Sequence, residues 1–582
     1  MGQQLGAEGA FSAVSVLDKP QTLLIALGRR YRDVRRILRS TLTAMTGVSG
    51  FIPTHISMAP RDLKTADPLA AKEFYRGRYF LGGILVETSG QSPFNIPNAQ
   101  PSWLEALHNF SWLRHFSAQP DKLTSDHLRV MIQDWLVIRE PIHREAAWKS
   151  DTTSRRLISF LCHSDVILAN SDHEFHTLFM RNLAAHVRFL IRNAPTTREG
   201  MPRILAYLAL SYASICHDNQ DASLKFAREK LAFELSSQIL PDGGHISRNP
   251  NQIVEILALL LPFRQSCLAA GIEVPKPIHA AIERMLPALR FYRMGDGNVA
   301  RFNGAGLVQP DLIATILRHD ETLGESVEHA THSGYQRMVQ DESLVLMDVG
   351  DPPKGEHSTN AHAGCLSFEF SSGTECIVVN CGSPPHPESE PISVWRTTAA
   401  HSTAVFCDTS SCRFENSGSS NRQLSGQILT RDLDAKSERE ETDYVAKLYA
   451  SHAGYLREFG AVCHRTLYFE TQGGVLSGCD EFTAQNKAQL KYSTRDQVEI
   501  HFHLHPDVKP DTQTEDQETI IFLETRQKQL WKFSCKEATP ELEESIFFAS
   551  HSGSRQKTHR IVLKFGAYNT PEVNWSFENI TP

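Results

Sequence analysis

Apolar positions along this chain recur with two different periods, and the change between them falls near residue 330. From Pro20 the segment TLLIALGRRYRDVRRILRSTL places leucine and isoleucine at helical spacing with arginines opposite. A less regular stretch follows, in which YFLGGILVE is a candidate short strand. From Ser102 to about Leu289, amphipathic segments succeed one another, beginning with SWLEALHNFSWLRHF, SDHLRVMIQDWLVIRE and SRRLISFLCHSDVIL, with Ser125 as an expected N-cap. The connections are short and polar or carry Gly and Pro. Consecutive helices joined in this way pack antiparallel, and a long series closes into a ring of helical hairpins. No fixed-period repeat of the solenoid kind is present.

After a turn-rich stretch at GDGNVARFNGAG and one more short helix, PDLIATILRH, alternation of period two takes over from His332. The clearest case is STNAHAGCLSFEFSSGTECIVVNCG. Leu366, Phe368 and Phe370 share one face, a turn spans Ser371–Thr374, and Ile377–Asn380 returns. His362 stands at the mouth of the first strand, where its side chain is expected to face a partner. The expected architecture is a helical domain followed by an antiparallel β-sandwich. It divides into a loose tail at 1–19, a helical domain at 20–325 and a β domain at 331–575, with a cleft between the two domains as the natural ligand site.

Composition narrows the function little. The 582 residues suffice for two large cores, and 41% hydrophobic with 22% charged residues describes a globular protein. A formal net charge of -8 argues against bulk attraction to nucleic acid. Eleven cysteines with no CxxC spacing suggest buried reduced thiols rather than disulfides or a zinc module. The first residues carry no signal-peptide pattern, Gly6 breaks the myristoylation motif, and no apolar run reaches membrane-spanning length.

Three places carry candidate chemistry. In PDGGHISRNP, Gly243 and Gly244 permit a turn expected to push His245 outward, with Arg248 and Asn249 following as donors; the plainer reading is a capping loop. Tyr292 closes a helix before an Asp-Gly turn. Arginines 290, 293 and 301 nearby would ease its ionisation for proton transfer, although packing alone also accounts for a tyrosine there. In the β domain, His362 and His401 on neighbouring strand mouths could share a zinc ion, or could be hydrogen-bonded in a polar seam. His501, His503 and His505 alternate along one strand and read as an exposed sheet face.

The segments LHNFSWLRHF, LPDGGHISRNP, FYRMGDGNVARFNG, HSGYQRM, NAHAGCLSFEFSSG, WRTTAAHSTAVFCDTSS and HFHLHPDV, in this order, resemble the heparinase II/III family of polysaccharide lyases, particularly its bacterial members. The resemblance spans about Phe110 to Pro506. It implies an incomplete α/α toroid followed by an antiparallel β-sandwich, and β-elimination on an acidic, uronate-containing polysaccharide. In that chemistry the carboxylate is neutralised, a base removes the C5 proton, and an acid protonates the leaving O4.

Carried over by motif, the resemblance implies Tyr292 as proton donor, His245 as carboxylate neutraliser or base, and His362 in support of the base. Arg248, Asn249, Asn360 and Arg396 would bind substrate. No cofactor is required, and a structural zinc would rest on His362 and His401. A cell-envelope or periplasmic setting is implied as well, against which the absent signal pattern makes a cytoplasmic one the alternative.

The chain also departs from the family pattern. Where lyases of this group carry His-x-His-x-Asp, this sequence reads Asn360-Ala361-His362-Ala363-Gly364. Where metal-binding members present an aspartate on the next strand, it has Asn380. The asparagine that several relatives use to neutralise the carboxylate is not evident, since Gly244 precedes His245. The alternative function is therefore a weakly active or inactive acidic-glycan-binding protein on the same scaffold.

Overall fold

The computed structural model describes residues 54–581 apart from 119–120, 139–140, 217–221, 321–328, 386–389, 415–426, 429, 431, 443, 471–473, 516–517 and 549–554; before residue 54 it describes Leu27, Tyr31 and Val34. The tail expected at 1–19 lies outside the described residues. Within them the change of period is a change of architecture: helices fill the first half and antiparallel strands the second.

YFLGGILVE forms a small hairpin, Arg78–Leu81 against Ile84–Glu87. The long helices Ser150–Cys162, His173–Asn193, Met201–Ile215, Ala222–Gln238, Pro250–Ala269 and Lys276–Tyr292 follow one another and share one apolar core. Pro250–Ala269 is long and apolar enough to cross a membrane, but Ile253, Ile256, Leu257, Leu260 and Leu261 are buried in that core.

Two expected helices are interrupted. SWLEALHNFSWLRHF splits into Pro101–His108 and Leu113–Phe116, because Phe110 takes a left-handed conformation (φ 56°) that seats its ring against Phe94, Trp112, Trp135 and Phe160. SRRLISFLCHSDVIL breaks at His163. Ser125 is not an N-cap: Asp121 caps Lys122–Leu136 by accepting from the Thr124 amide, and Ser125 lies inside the helix.

The strands form two antiparallel sheets. One runs, edge to edge, Lys509–Glu515, Glu518–Glu524, Leu530–Cys535, Glu572–Asn579, Val475–Thr483, Val462–Glu470, Val445–His452, Lys436–Glu441. The other runs Pro540–Phe547, Gln556–Gly566, Gln497–Leu504, Glu375–Val379, Phe368–Ser372, Ser343–Asp348, Tyr335–Gln340, His329–Ala330, with Ala404–Phe406 added onto Gln497–Leu504. The hairpin expected at 366–380 forms as Phe368–Ser372 paired with Glu375–Val379, with a register shift between Phe370 and Ser371.

Burial on both faces of the second sheet fixes the joint between domains. Along Ser343–Asp348 every residue is buried. Val345 and Met347 face the other sheet, whereas Leu344 and Leu346 belong to the helical core. A strand covered on both sides reads as a near-continuous apolar run, as SLVLMD does. His501 and His503 are likewise buried, contrary to the exposed face expected of HFHLH, and His503 Nδ1 lies 2.7 Å from Ser545 Oγ.

Candidate site at the joint between toroid and sandwich

The loop between Ala222–Gln238 and Pro250–Ala269 is shaped by Gly243. Its φ is +81°, and a Cβ there would stand 2.0 Å from the Arg284 carbonyl oxygen, so only glycine fits. The turn does not push His245 outward; it folds the ring in. The Ser247 amide donates to His245 Nδ1 at 3.1 Å, with Ser247 Oγ 2.7 Å from the same atom. Nε2 lies 3.1 Å from Gln238 Oε1, and the amide nitrogen of Gln238 is fixed on Glu234. Nδ1 therefore accepts and Nε2–H donates, so both ring nitrogens are occupied in the neutral form. Burial, with the neighbouring His357, pushes the pKa down to about 3.

Arg248, expected to bind substrate, clamps the domains instead. Nε donates to the Ser333 carbonyl at 2.7 Å, Nη1 to those of Gly350 and Asp351 at 3.0 and 2.9 Å, and Nη2 to that of Gly334 at 2.9 Å and to the Asp348 carboxylate. All five N–H groups are spent, leaving none for a ligand. The guanidinium also stacks on Tyr335, 4.8 Å from the ring centre.

Tyr292 is the last residue of its helix, as the sequence suggests, but its phenol is sealed. Its Oη lies 2.8 Å from Ser333 Oγ, which is 3.1 Å from Asp242 Oδ2. Ser333 has a single proton and gives it to the carboxylate, so the phenol donates into a chain that ends on a negative charge. Burial raises the Tyr292 pKa, the Ser333 bond opposes the rise, and Asp242 adds to it. Two of the three arginines expected to ease ionisation are employed elsewhere: Arg301 pairs with Asp296 and Glu369, and Arg290 with Asp320.

His362 does not leave the sheet to face a partner. It follows the short helix Gly355–Asn360 and is buried, its ring nitrogen Nδ1 2.8 Å from His401 Nε2. His401 Nδ1 lies 2.7 Å from the Thr397 carbonyl, so it must donate there. The tautomers follow: His401 Nε2 accepts from His362 Nδ1–H, and the remaining lone pair, on His362 Nε2, is buried without a protein partner. Burial lowers both pKa values, that of His401 to about 4.

This arrangement does not fit a zinc ion. The nitrogens expected to share the metal are bonded to each other, and Asn380 Oδ1 accepts from the Ser402 amide at 3.0 Å. Among the described residues no group of three His, Cys, Asp or Glu is placed to hold a metal. Arg396 acts behind the relay, donating to the Ala361 and Ser358 carbonyls at 2.8 and 3.0 Å and so holding the segment that carries His362.

Asn360 is exposed, and its backbone and Cβ crowd Gly304 opposite the Asn249 amide. Asn249 Oδ1 caps the helix Pro250–Ala269 through the Asn251 amide at 2.9 Å. Thus His245, Arg248, Asn249, Tyr292 and Asn360 lie along one seam, whereas His362 reaches it through its backbone amide, 3.3 Å from Asn303 Oδ1. Sequence reasoning missed the residues that organise this seam: Asp242, Asn303, Ser333, Tyr335 and Asp348. Asn303 donates to Tyr335 Oη at 2.7 Å and Asp348 Oδ2 at 3.0 Å, and Tyr335 Oη donates to the Arg248 carbonyl at 2.6 Å. Ser333 and Tyr335 lie inside HSGYQRM, a signal available in the sequence but given no role.

A helical toroid followed by an antiparallel two-sheet sandwich is the fold of the solved heparinase III structures. Residues 322–576 match the model of the heparinase II/III-like C-terminal domain. A crystal structure of heparinase III superposes with a TM-score of 0.67 at 11% identity, covering 98% of this chain and 93% of that one. A heparan sulfate lyase HepC mutant from Pedobacter heparinus gives 0.59 at 13%, covering 98% and 92%. At such identities these establish the shared fold. The chain is also 28% identical over 482 residues to FtsZ-localized protein C of Caulobacter vibrioides, covering 81% of each.

Proposed function

We propose that this chain uses the polysaccharide lyase scaffold as a glycan-binding platform without elimination chemistry. The observation carrying this reading is that each group needed for proton transfer is already committed. Tyr292 donates toward Asp242 through Ser333, both nitrogens of His245 are bonded, and the free lone pair of His362 is enclosed. Where the family pattern has its first histidine stands the exposed Asn360, whose amide cannot accept a proton at neutral pH but can hydrogen-bond sugar hydroxyls. The relative from Caulobacter vibrioides is named for its localisation with FtsZ. That supports extending the proposal to a role at the division machinery rather than in digestion of external polymers.

The test is to present the protein with uronate polymers and cell-wall glycan fragments, following ultraviolet absorbance of unsaturated product and binding by calorimetry. Saturable binding without product, unchanged in Tyr292→Phe and weakened in Asn360→Ala, is expected. Product formation that disappears in Tyr292→Phe would establish the lyase reading instead.

A further inference from the structure

Where the apolar core between the two sheets ends, beside the turn that joins Tyr335–Gln340 to Ser343–Asp348, a cavity of about 410 Å³ opens. That is within the roughly 300–1,000 Å³ of small-molecule sites. Ser343 and Ser372 stand directly opposite each other on neighbouring strands. Ser343 shares with Val345 and Met347, and Ser372 with Phe368 and Phe370, the face turned to the other sheet. Both serines line the cavity and are 8 and 4% exposed, yet among the described residues neither hydroxyl has a hydrogen-bond partner. Buried hydroxyls are nearly always paired, so here the pairing is left to whatever enters the cavity. The other sheet turns donors toward the same space. Gln529 Oε1 accepts from Trp531 Nε1 at 3.3 Å, Asn579 Oδ1 from the Thr581 amide at 2.9 Å, and Thr581 Oγ1 from the Leu530 amide at 2.9 Å. Each bond occupies an oxygen and fixes how its group is turned. The side-chain nitrogens of Gln529 and Asn579 and the Thr581 hydroxyl proton keep no partner among the described residues. Phe469, against the Phe370 ring at 6.2 Å, adds an apolar part to the lining.

We propose that this cavity binds an uncharged sugar unit of a glycan, at a site separate from the seam between toroid and sandwich. The inner lining is neutral and made of hydroxyls and amides, which suits a ring whose hydroxyls both donate and accept and whose C–H face is apolar. Charge stands only at the rim, where Asp341, Glu342 and Glu470 are exposed and can accept from sugar hydroxyls. No Lys, Arg or His lines the cavity, so a phosphate or a uronate would meet only negative charge. An amine would be held by those solvated carboxylates, where ion pairs are weak, and would leave the two serines unanswered. Nor do the carboxylates converge on a metal: among the described residues no group of three is placed to hold one. None of these residues belongs to the seam, so the site does not depend on glycan binding at Asn360.

The full chain is titrated with glucose, galactose, N-acetylglucosamine and their β-linked dimers, followed by saturation-transfer NMR and calorimetry. Glucuronate, glucosamine and putrescine serve as charged comparisons. Saturable binding of at least one neutral sugar is expected, with a Kd on the order of 1 mM or tighter, and none of glucuronate. Ser343→Val combined with Ser372→Val removes both hydroxyls and fills their space with side chains that suit a strand. It should weaken that binding at least about tenfold without lowering the melting temperature. Thr581→Val, at an exposed position near the end of the chain, gives an independent reading should the serine pair fail to fold, and should weaken binding by about threefold or more. The proposal is overturned if no neutral sugar binds at about 10 mM, or if binding survives these substitutions unchanged. It is equally overturned if glucosamine or putrescine binds and the neutral sugars do not, or if the neutral sugar is lost in Asn360→Ala and kept in the serine pair, which would place it at the seam.

Discussion

Arg248, in a loop of the helical domain, and Asp348, at the end of a sandwich strand, form a buried ion pair across the joint. The arginine also fills four backbone carbonyls from 333 to 351. Removing one partner of such a pair strands the other charge away from water. Arg248→Ala should therefore lower unfolding stability by about 3–5 kcal/mol in urea titrations, while Lys354→Ala, at an exposed position, should change it by less than about 0.5 kcal/mol. An Arg248→Ala protein as stable as the parent would remove the clamp from this account.

Acid should weaken the fold earlier than carboxylates alone require. Burial holds His245 at about 3, and His401 and His452 at about 4, against an ordinary value of 6.5. Between those values the unfolded chain binds protons that the folded one refuses, so stability rises with pH there and falls as pH drops. The stabilisation is fully present above about pH 6.5 and is lost progressively toward pH 4. Asp296, held down to about 2 by Arg301 and Asn298 against the upward pull of its burial, adds a loss only below about pH 4. Melting temperatures recorded from pH 7.5 to 4.5 should decline from near pH 6.5; a flat profile to pH 5 would contradict the neutral, enclosed histidines.

Chelation should leave the protein unaltered. With His362 and His401 bonded to each other, purified protein should carry well under one zinc per chain by elemental analysis, and EDTA should not shift its melting temperature. Stoichiometric zinc lost together with stability would show that the two rings separate to bind metal.

Gly244, directly before His245, has no room for a side chain. A Cβ there would lie 2.6 Å from Ser333 Cβ and 3.1 Å from Tyr292 Oη. Gly244→Asn should wedge the loop off the sandwich and destabilise the protein by roughly 1–3 kcal/mol, as overpacking does. A denaturant midpoint equal to the parent's would mean that the seam yields at no cost.

The sequence by itself determined the order of architectures, the hairpin at 366–380 and the glycine turn at 243, because periodicity and backbone restriction are local properties that the chain carries wherever it folds. Which way His245 turned, what Arg248 held, and whether Tyr292 kept an open face were decided by groups far along the chain: Ser333 and Asp348 meet Arg248 across 85 and 100 residues. The left-handed Phe110 that interrupts a good amphipathic pattern is of the same kind, since its ring packs against Phe94, Trp135 and Phe160 from distant parts of the chain. A side chain's hydrogen-bond partners and exposure depend on tertiary neighbours, and these turned residues that read as chemistry into the lock between two domains.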